Sequence, residues 1–418
     1  ESVTNIGNSA FSWCSSLTNL VIPEGVANIG DEAFSGCSGL ISLVIPEVVT
    51  RISNKVFSYC SSLSRIDIPK GVTDIGNGAF SGCSSLLSII IPDCVTDIRE
   101  SALSGCTSLT NIIIPDSVTN IGWGAFSGCS SLTSIVIPQN VSSIGGNAFE
   151  DCNNLTSIFI PVGVTSIGRG AFSGCKKLSS IIIPKSVKTI EASAFQDCSS
   201  LTSIVIPEGV TSLEYQTFSG CSSLTSIVIP ESVTSIGEGA FFGSGGSTFS
   251  GCSSLTSIII PKSVTSIQDG LFQSCSSLKS IYFPESVTSI GKMVFEGCAE
   301  LKEIHNILSL VLKGCKIHVT TYIWLLENIW NGPEFLSETT QVYLTNPGKA
   351  VNEICESRLF ENCAATADVM FELIKTNKDN ASALKKIATF ALTCGGELPR
   401  EKLIAIYDAL KEIGAKPA

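Results

Sequence analysis

Ser222-Ser223-Leu224-Thr225-Ser226-Ile227-Val228-Ile229-Pro230-Glu231-Ser232-Val233-Thr234-Ser235-Ile236-Gly237 is followed, after a short link, by Ala240-Phe241, and nearly the whole phrase recurs on either side. Prolines stand at Pro23, Pro46, Pro69, Pro92, Pro115, Pro138, Pro161, Pro184, Pro207 and Pro230, each 23 residues after the last. The next step, Pro230 to Pro261, is 31, and Pro284 restores 23. A fixed period of this size means a solenoid, in which each repeat buries its apolar face against its neighbours only. Residues 1–304 form such a solenoid of about thirteen repeats on this reading.

Each repeat has three pieces. The first is L-x-x-I-x-I-P, as in Leu132-Thr133-Ser134-Ile135-Val136-Ile137-Pro138. Ile135 and Ile137 share one face at period two, and β-branched residues favour a strand. Proline has no N–H for the ladder, so the strand stops there. The second is V-T-x-I-G, as in Val118-Thr119-Asn120-Ile121-Gly122, a shorter strand or extended corner ending at a glycine turn. The third, Ala125-Phe126-Ser127-Gly128-Cys129, places Ala, Phe and Cys on one face of a single helical turn. The interior then reads by column: Leu17 to Leu301, and Phe11 to Phe295 with Leu103 as the exception.

Thirteen of the 18 cysteines also form a column: Cys14, Cys37, Cys60, Cys83, Cys106, Cys129, Cys152, Cys175, Cys198, Cys221, Cys252, Cys275 and Cys298. Stacked strands lie about 4.8 Å apart, close enough for disulfides between neighbours. The side chains would run parallel, however, and the number is odd. Mostly free thiols, packed as small hydrophobes, are the expectation. No C-x-x-C pair exists and His305 and His318 are the only histidines, so no zinc site is expected.

The unit L-x-S-I-x-I-P-x-x-V-T-x-I-G-x-x-A-F-x-x-C-x-S resembles the BspA-like class of leucine-rich repeats over about Glu1 to Ile304. The resemblance implies a right-handed, curved leucine-rich-repeat solenoid with a parallel β-sheet of short strands on its concave side. It also implies a surface or secreted protein of a host-associated bacterium or parasitic protist, linked with adhesion to host matrix proteins, host cells or other microbes. The family carries no catalytic residues.

Two departures break the regularity. Eight extra residues around Phe242–Phe249 are Gly/Ser-rich and must loop out of the stack, as a tolerated insertion or a flap on the binding body. After Cys298 the phrase decays, and residues 305–344 read as a cap and linker, with Trp324 and Trp330 as cap core. Residues 345–418 read as a small α-helical bundle: 349–360, 364–375, 381–392 behind Asp379, and 399–413 stopped by Gly414. Cys355, Cys363 and Cys394 lie there without metal spacing.

Charged residues are 15% of the chain and hydrophobic ones 44%, with Ser and Thr filling much of the rest. The net charge is −11, and residues 341–418 hold ten Lys/Arg and ten Asp/Glu, so the excess lies before them. A mildly acidic surface argues against nucleic acid and anionic membrane as partners. No apolar run is long enough to cross a bilayer. The opening at Glu1-Ser2-Val3-Thr4-Asn5-Ile6-Gly7 falls mid-repeat, and more repeats or a leader are expected upstream. No G-x-S-x-G, phosphate loop or repeated carboxylate pair appears, so an enzyme is not expected, nor a cofactor or metal.

Function is therefore sought on the outward strand position between the two inward isoleucines. Its occupants are Val21, Val44, Asp67, Ile90, Ile113, Val136, Phe159, Ile182, Val205, Val228, Ile259 and Tyr282. Beside it runs a column of mostly serine: Ser42, Arg65, Ser88, Asn111, Ser134, Ser157, Ser180, Ser203, Ser226, Ser257 and Ser280. An apolar stripe flanked by hydroxyls reads as a protein-binding face. It reads equally as β-branched residues stacking on one another across a parallel sheet. Asp67 with Arg65, Phe159 and Tyr282 break the columns and are the candidates for specific contacts; Asp67 and Arg65 also suit a plain surface ion pair. Two function classes follow: a surface or secreted adhesin-like module, or an intracellular scaffold whose helical tail docks a partner. Secretion would make the sequons at Asn140, Asn154 and Asn380 relevant.

Overall fold

The structure is a computed structural model. It describes residues 3–238, 247–307, 310, 315–318, 321, 324 and 325. The helical bundle expected at 345–418, Trp330 and Asn380 lie outside the described residues.

Most coils contribute two short parallel strands; at 88–90, 111–113 and 180–182 the first strand is reduced to isolated parallel bridges. The first is three residues long, as in Ser134–Val136, and pairs with Ser157–Phe159 of the next coil in a register of Ser134 to Ser157, Ile135 to Ile158 and Val136 to Phe159. The pattern is exposed, buried, exposed, which is what one inward isoleucine between two outward residues produces. Proline ends the strand and opens a turn: the Val49 N–H donates to the Pro46 carbonyl at 3.0 Å, and Val141 repeats this on Pro138. The second strand is two residues long, as in Ser143–Ile144, and these strands form a continuous seven-stranded sheet from Arg51–Ile52 to Thr189–Ile190. The V-T-x-I-G piece is thus a second sheet.

The third piece differs from the expected helical turn. No helix occurs within the repeats at 3–238 and 247–305. Instead, alternate N–H groups take alternate directions. Ala33, Ser35 and Cys37 donate to carbonyls three residues back, at Gly30, Glu32 and Phe34. Glu32, Phe34 and Gly36 donate across to Asn54, Val56 and Ser58 of the next coil at 2.7–2.9 Å. The geometry requires a left-handed backbone twice per coil, here at Glu32 (φ 59°) and Gly36 (φ 72°). Left-handed conformation breaks a helix and costs a non-glycine residue about 1–2 kcal/mol. Eight of the thirteen residues in the second of these columns are accordingly glycine. This side of the coil is a third hydrogen-bonded ladder.

Inside, the columns stack as expected. Neighbouring phenylalanine rings from Phe126 to Phe272 lie 5.4–5.8 Å apart and within 11° of parallel. Leu103, itself buried, separates this run from Phe11, Phe34, Phe57 and Phe80. The cysteine column is free and buried from Cys37 to Cys298. Each thiol donates to the carbonyl of the aromatic-column residue one coil back: Cys37 to Phe11 at 3.0 Å, Cys129 to Leu103 at 3.2 Å, Cys298 to Phe272 at 3.1 Å. That carbonyl also accepts its own coil's Cys N–H, so both lone pairs are used. The thiol is therefore a donor with a fixed acceptor as well as a packing group.

Hydroxyls serve the corners. Thr165 Oγ donates to the Ser142 carbonyl at 3.2 Å and Thr288 to Thr265 at 3.0 Å. Ser117, Ser186 and Ser286 do the same to Val95, Val164 and Val264 at 2.6–2.7 Å. The Ser142 and Thr265 carbonyls also accept the N–H of the same Thr165 and Thr288 at 2.8 Å, so each threonine holds one carbonyl twice, while the serines reach the Val95, Val164 and Val264 carbonyls at the other corner.

The extra residues are spliced out without loss of register. Phe249 occupies the aromatic column between Phe218 and Phe272, so the insertion lies before it and not as far as 249. Cys252 donates to the Phe218 carbonyl at 3.2 Å across the gap. Thr217 and Thr248 replace the column's alanine, and both hydroxyls settle on the Glu214 carbonyl. At the far end Glu303–His305 still pairs with Ser280–Tyr282, while Lys316–Ile317 pairs with Ser289–Ile290, so the last coil spends 27 residues between Ile290 and Ile317. The Trp324 ring lies 5.3 Å from Phe295 at the end of the aromatic column.

Phe172→Ala removes one ring between two stacked neighbours and is expected to cost about 3–5 kcal/mol, read by urea denaturation with tryptophan emission. Lys176→Ala on the same coil's exposed surface is expected to change stability by less than about 0.5 kcal/mol.

Candidate binding face

The outward column is open to solvent along its length. Val21 is 88% exposed, Ile182 84%, Val136 67% and Tyr282 40%, with Val44, Ile90, Ile113, Phe159, Val205, Val228 and Ile259 between these limits. The period-two strand that aims Ile135 inward leaves Val136 no other direction. Parallel register then lines these residues up at about 4.8 Å per coil, as in Val21 to Val44, Val205 to Val228 and Ile259 to Tyr282. The serine column beside it is largely exposed too.

The breaks in the column differ in kind. Arg65 donates to the Asp67 carboxylate, with Nη2 3.3 Å from Oδ1, and both side chains are largely exposed. Exposed pairs contribute about 0–1 kcal/mol, so the pair neutralises itself without anchoring the fold. Phe159 and Tyr282 enlarge the stripe. His305, in register with Tyr282, extends it by one coil, with Nε2 3.5 Å from Glu303 Oε2. Sequence reading passed over Ile41, Leu87 and Val162, all exposed large apolar residues near the strand ends. Their signal was present: each stands where the adjacent coils carry a polar residue, Thr18 and Ser64 beside Ile41, Ser64 and Thr110 beside Leu87, and Gln139 and Lys185 beside Val162.

The Asn140 and Asn154 amides are engaged in the corners. Asn140 Nδ2 donates to the Asp116 carbonyl at 2.8 Å and Asn154 Nδ2 to the Ser130 carbonyl at 2.7 Å.

Titratable chemistry is muted. Burial pushes the Cys60, Cys129 and Cys298 thiols up to about 12, so no thiolate exists there at neutral pH. Cys14 and Cys94 are exposed. Among the described residues no group of three or more His, Cys, Asp or Glu could hold a metal ion. Among them also, no helix is long and apolar enough to cross a membrane.

The BspA type leucine rich repeat region matches residues 4–133, 119–246 and 243–313. The chain belongs to that family. A leucine-rich repeat protein of Bacteroides ovatus is 35% identical over 72% of this chain and 82% of its own, with a TM-score of 0.61. One from Eubacterium ventriosum is 28% identical over 71% of this chain and 80% of its own, at 0.49. A leucine rich cell surface protein of Faecalibacterium prausnitzii is 33% identical over 63% of this chain and 87% of its own, at 0.43. No curated protein matches the chain. Family membership together with the Bacteroides ovatus structure agrees with the parallel solenoid built above.

Two outcomes are expected of the BspA-type thiol column. Maleimide at pH 7.5 modifies Cys94 of the native protein and leaves the buried column, Cys60 to Cys275, unmodified until denaturant is added, as mapped by peptide mass spectrometry. Because the folded thiols titrate above the unfolded value of about 8.5, their contribution is complete below that pH. It is lost as pH rises toward 12, so urea midpoints under reducing conditions fall progressively from pH 9 to pH 11. Cys129→Ala, which removes one such thiol, is expected to make that fall shallower.

Proposed function

We propose that this BspA-type protein is a non-catalytic binding module, displayed at the cell surface or secreted, that recognises a host or neighbouring-cell protein through the outward face of its first-strand ladder. The observation that carries the reading is the unbroken run of exposed apolar residues from Ile90 to Ile259, one on every coil. A run of this length, at about 4.8 Å per coil, covers more apolar area than soluble monomers ordinarily leave open. Only Asp67 carries a charge within the twelve-residue column, and Arg65 neutralises it. A partner that lays an apolar ridge along the stripe therefore desolvates few charges, and the hydroxyls beside it supply a polar rim.

Surface or secreted location rests on membership of the family. Adhesin-like recognition of a protein rests on the same ground together with the stripe. The repetition suits a shallow extended contact, since each coil adds a similar increment of area.

Val136→Asp with Val205→Asp places two charges in the stripe without touching the interior. The double variant is expected to keep its circular dichroism and melting temperature. Its binding to intact host cells or immobilised matrix proteins is expected to weaken at least tenfold, measured by flow cytometry and surface plasmon resonance. Unchanged binding by the folded variant would remove the stripe as the contact face. Protease shaving of intact producing cells tests location separately: a protein reached by protease only after lysis would sink surface display.

A further inference from the structure

The turn side of the coils carries a second exposed feature, on a ladder separate from the outward strand column. Trp13 and Tyr59 occupy the left-handed column at the end of the third piece, with φ 60° and 58°. Eight of its other positions are glycine, the remaining three being Asp151, Asp197 and Ser274. Bulky aromatic residues are the least expected occupants of such a backbone. Neither is buried in compensation: Trp13 is 70% exposed and Tyr59 57%.

Their rings are nevertheless fixed. The Trp13 N–H donates to Ser35 O and the Tyr59 N–H to Ser81 O, both at 2.6 Å. A Cβ at Gly36 would come within 2.5 Å of two atoms of the Trp13 six-membered ring, and one at Gly82 within 2.7 Å of the Tyr59 ring. Each aromatic therefore rests on the bare backbone of a glycine in the next coil. The two rings are within 17° of parallel, with centroids 6.2 Å apart. Gly36, on the coil between them, adds no side chain to obstruct the pair. On the Gly36 and Tyr59 coils, four residues earlier, Glu32 and Lys55 pair at 3.6 Å and are both substantially exposed.

We propose that Trp13 and Tyr59 form a stacking platform for a neutral glycan chain. Strained, exposed aromatics that contribute little to the core point to a ligand rather than to stability. An aromatic face is electron-rich, and the axial C–H face of a pyranose is its natural complement; adjacent sugar rings of one chain meet adjacent side chains of the platform. Glu32, on the coil between the two rings, and Lys55, on the Tyr59 coil, supply a carboxylate and an ammonium able to accept from and donate to sugar hydroxyls. The chain's net charge of −11 disfavours acidic polysaccharides. A protein ligand would gain little specificity from two isolated rings without the surrounding contact area that interfaces use.

The test exploits the column's own preference. Trp13→Gly and Tyr59→Gly install the residue that eight other coils carry, so the variants fold. The full chain is screened on an array of neutral oligosaccharides that includes cello-, chito-, manno- and xylohexaose. Hits are titrated by tryptophan emission and calorimetry. The expected result is at least one hexaose bound, weakened tenfold or more by either glycine variant and unaffected by Trp123→Gly, which removes an exposed tryptophan from a different column. Melting temperatures of the Trp13 and Tyr59 variants should hold or rise as the strain is relieved. The proposal is overturned if no neutral oligosaccharide binds, if binding survives the double variant, or if the glycine variants melt lower, which would make the rings a cover for Gly36 and Gly82.

Discussion

Everything in this solenoid depends on backbone hydrogen bonds that run from one coil to the next on three sides. The two strand ladders and the turn ladder share one offset, so each coil sits on its neighbour in a fixed register and each sequence position becomes a column. Once columns exist, side-chain choice is constrained by self-contact. Phenylalanine must stack on phenylalanine, thiol must reach the carbonyl one coil back, and a corner hydroxyl must find the carbonyl beside it. A conservative change in one coil thus disturbs two neighbours, which is why Leu103 splits the aromatic stack into two runs.

The turn ladder also sets the shape of the problem for the backbone. A leucine-rich repeat with a helix on its outer side is wider there than at its sheet. Here the outer side is bonded coil to coil through Glu32, Phe34 and Gly36. The phenylalanine column advances 5.4–5.8 Å per coil over Phe126 to Phe272, against about 4.8 Å for stacked strands. The difference is small, so the sheet face stays open and a long apolar stripe remains accessible along it. The cost is borne at the left-handed positions, where glycine is preferred and other residues are strained.

Much of this was legible before any coordinates. Period, proline placement and alternation located both strands, the interior columns and the outward stripe, because each reports a steric rule that one coil cannot evade. The turn piece was misread for a physical reason. Ala125, Phe126 and Cys129 show the same spacing whether they lie on a helical turn or on successive reverse turns. The deciding residue was Gly128, whose repeated presence between Phe and Cys marks a left-handed backbone that a helix would not tolerate. Phe249 was placed in the insertion because Ala240-Phe241 reproduces the repeat phrase first; only stacking between Phe218 and Phe272 decides which phenylalanine enters the column. The exposed rings of Trp13, Tyr59 and Trp123 went unnoticed because attention to the consensus treats departures as noise.

Those departures are where individuality must reside. A column position that serves stacking is the same in every coil and cannot distinguish one ligand from another. Exposed positions escape that constraint, and they alone are free to vary: Asp67 and Phe159 on the strand side, Trp13 and Tyr59 on the turn side. The uniform stripe supplies area, and area alone confers adhesion without selectivity. Selectivity requires groups that fit one partner and penalise another. In this chain such groups sit at isolated coils on a scaffold whose stability is supplied by the columns beneath them, so a binding residue can change without the core having to change with it.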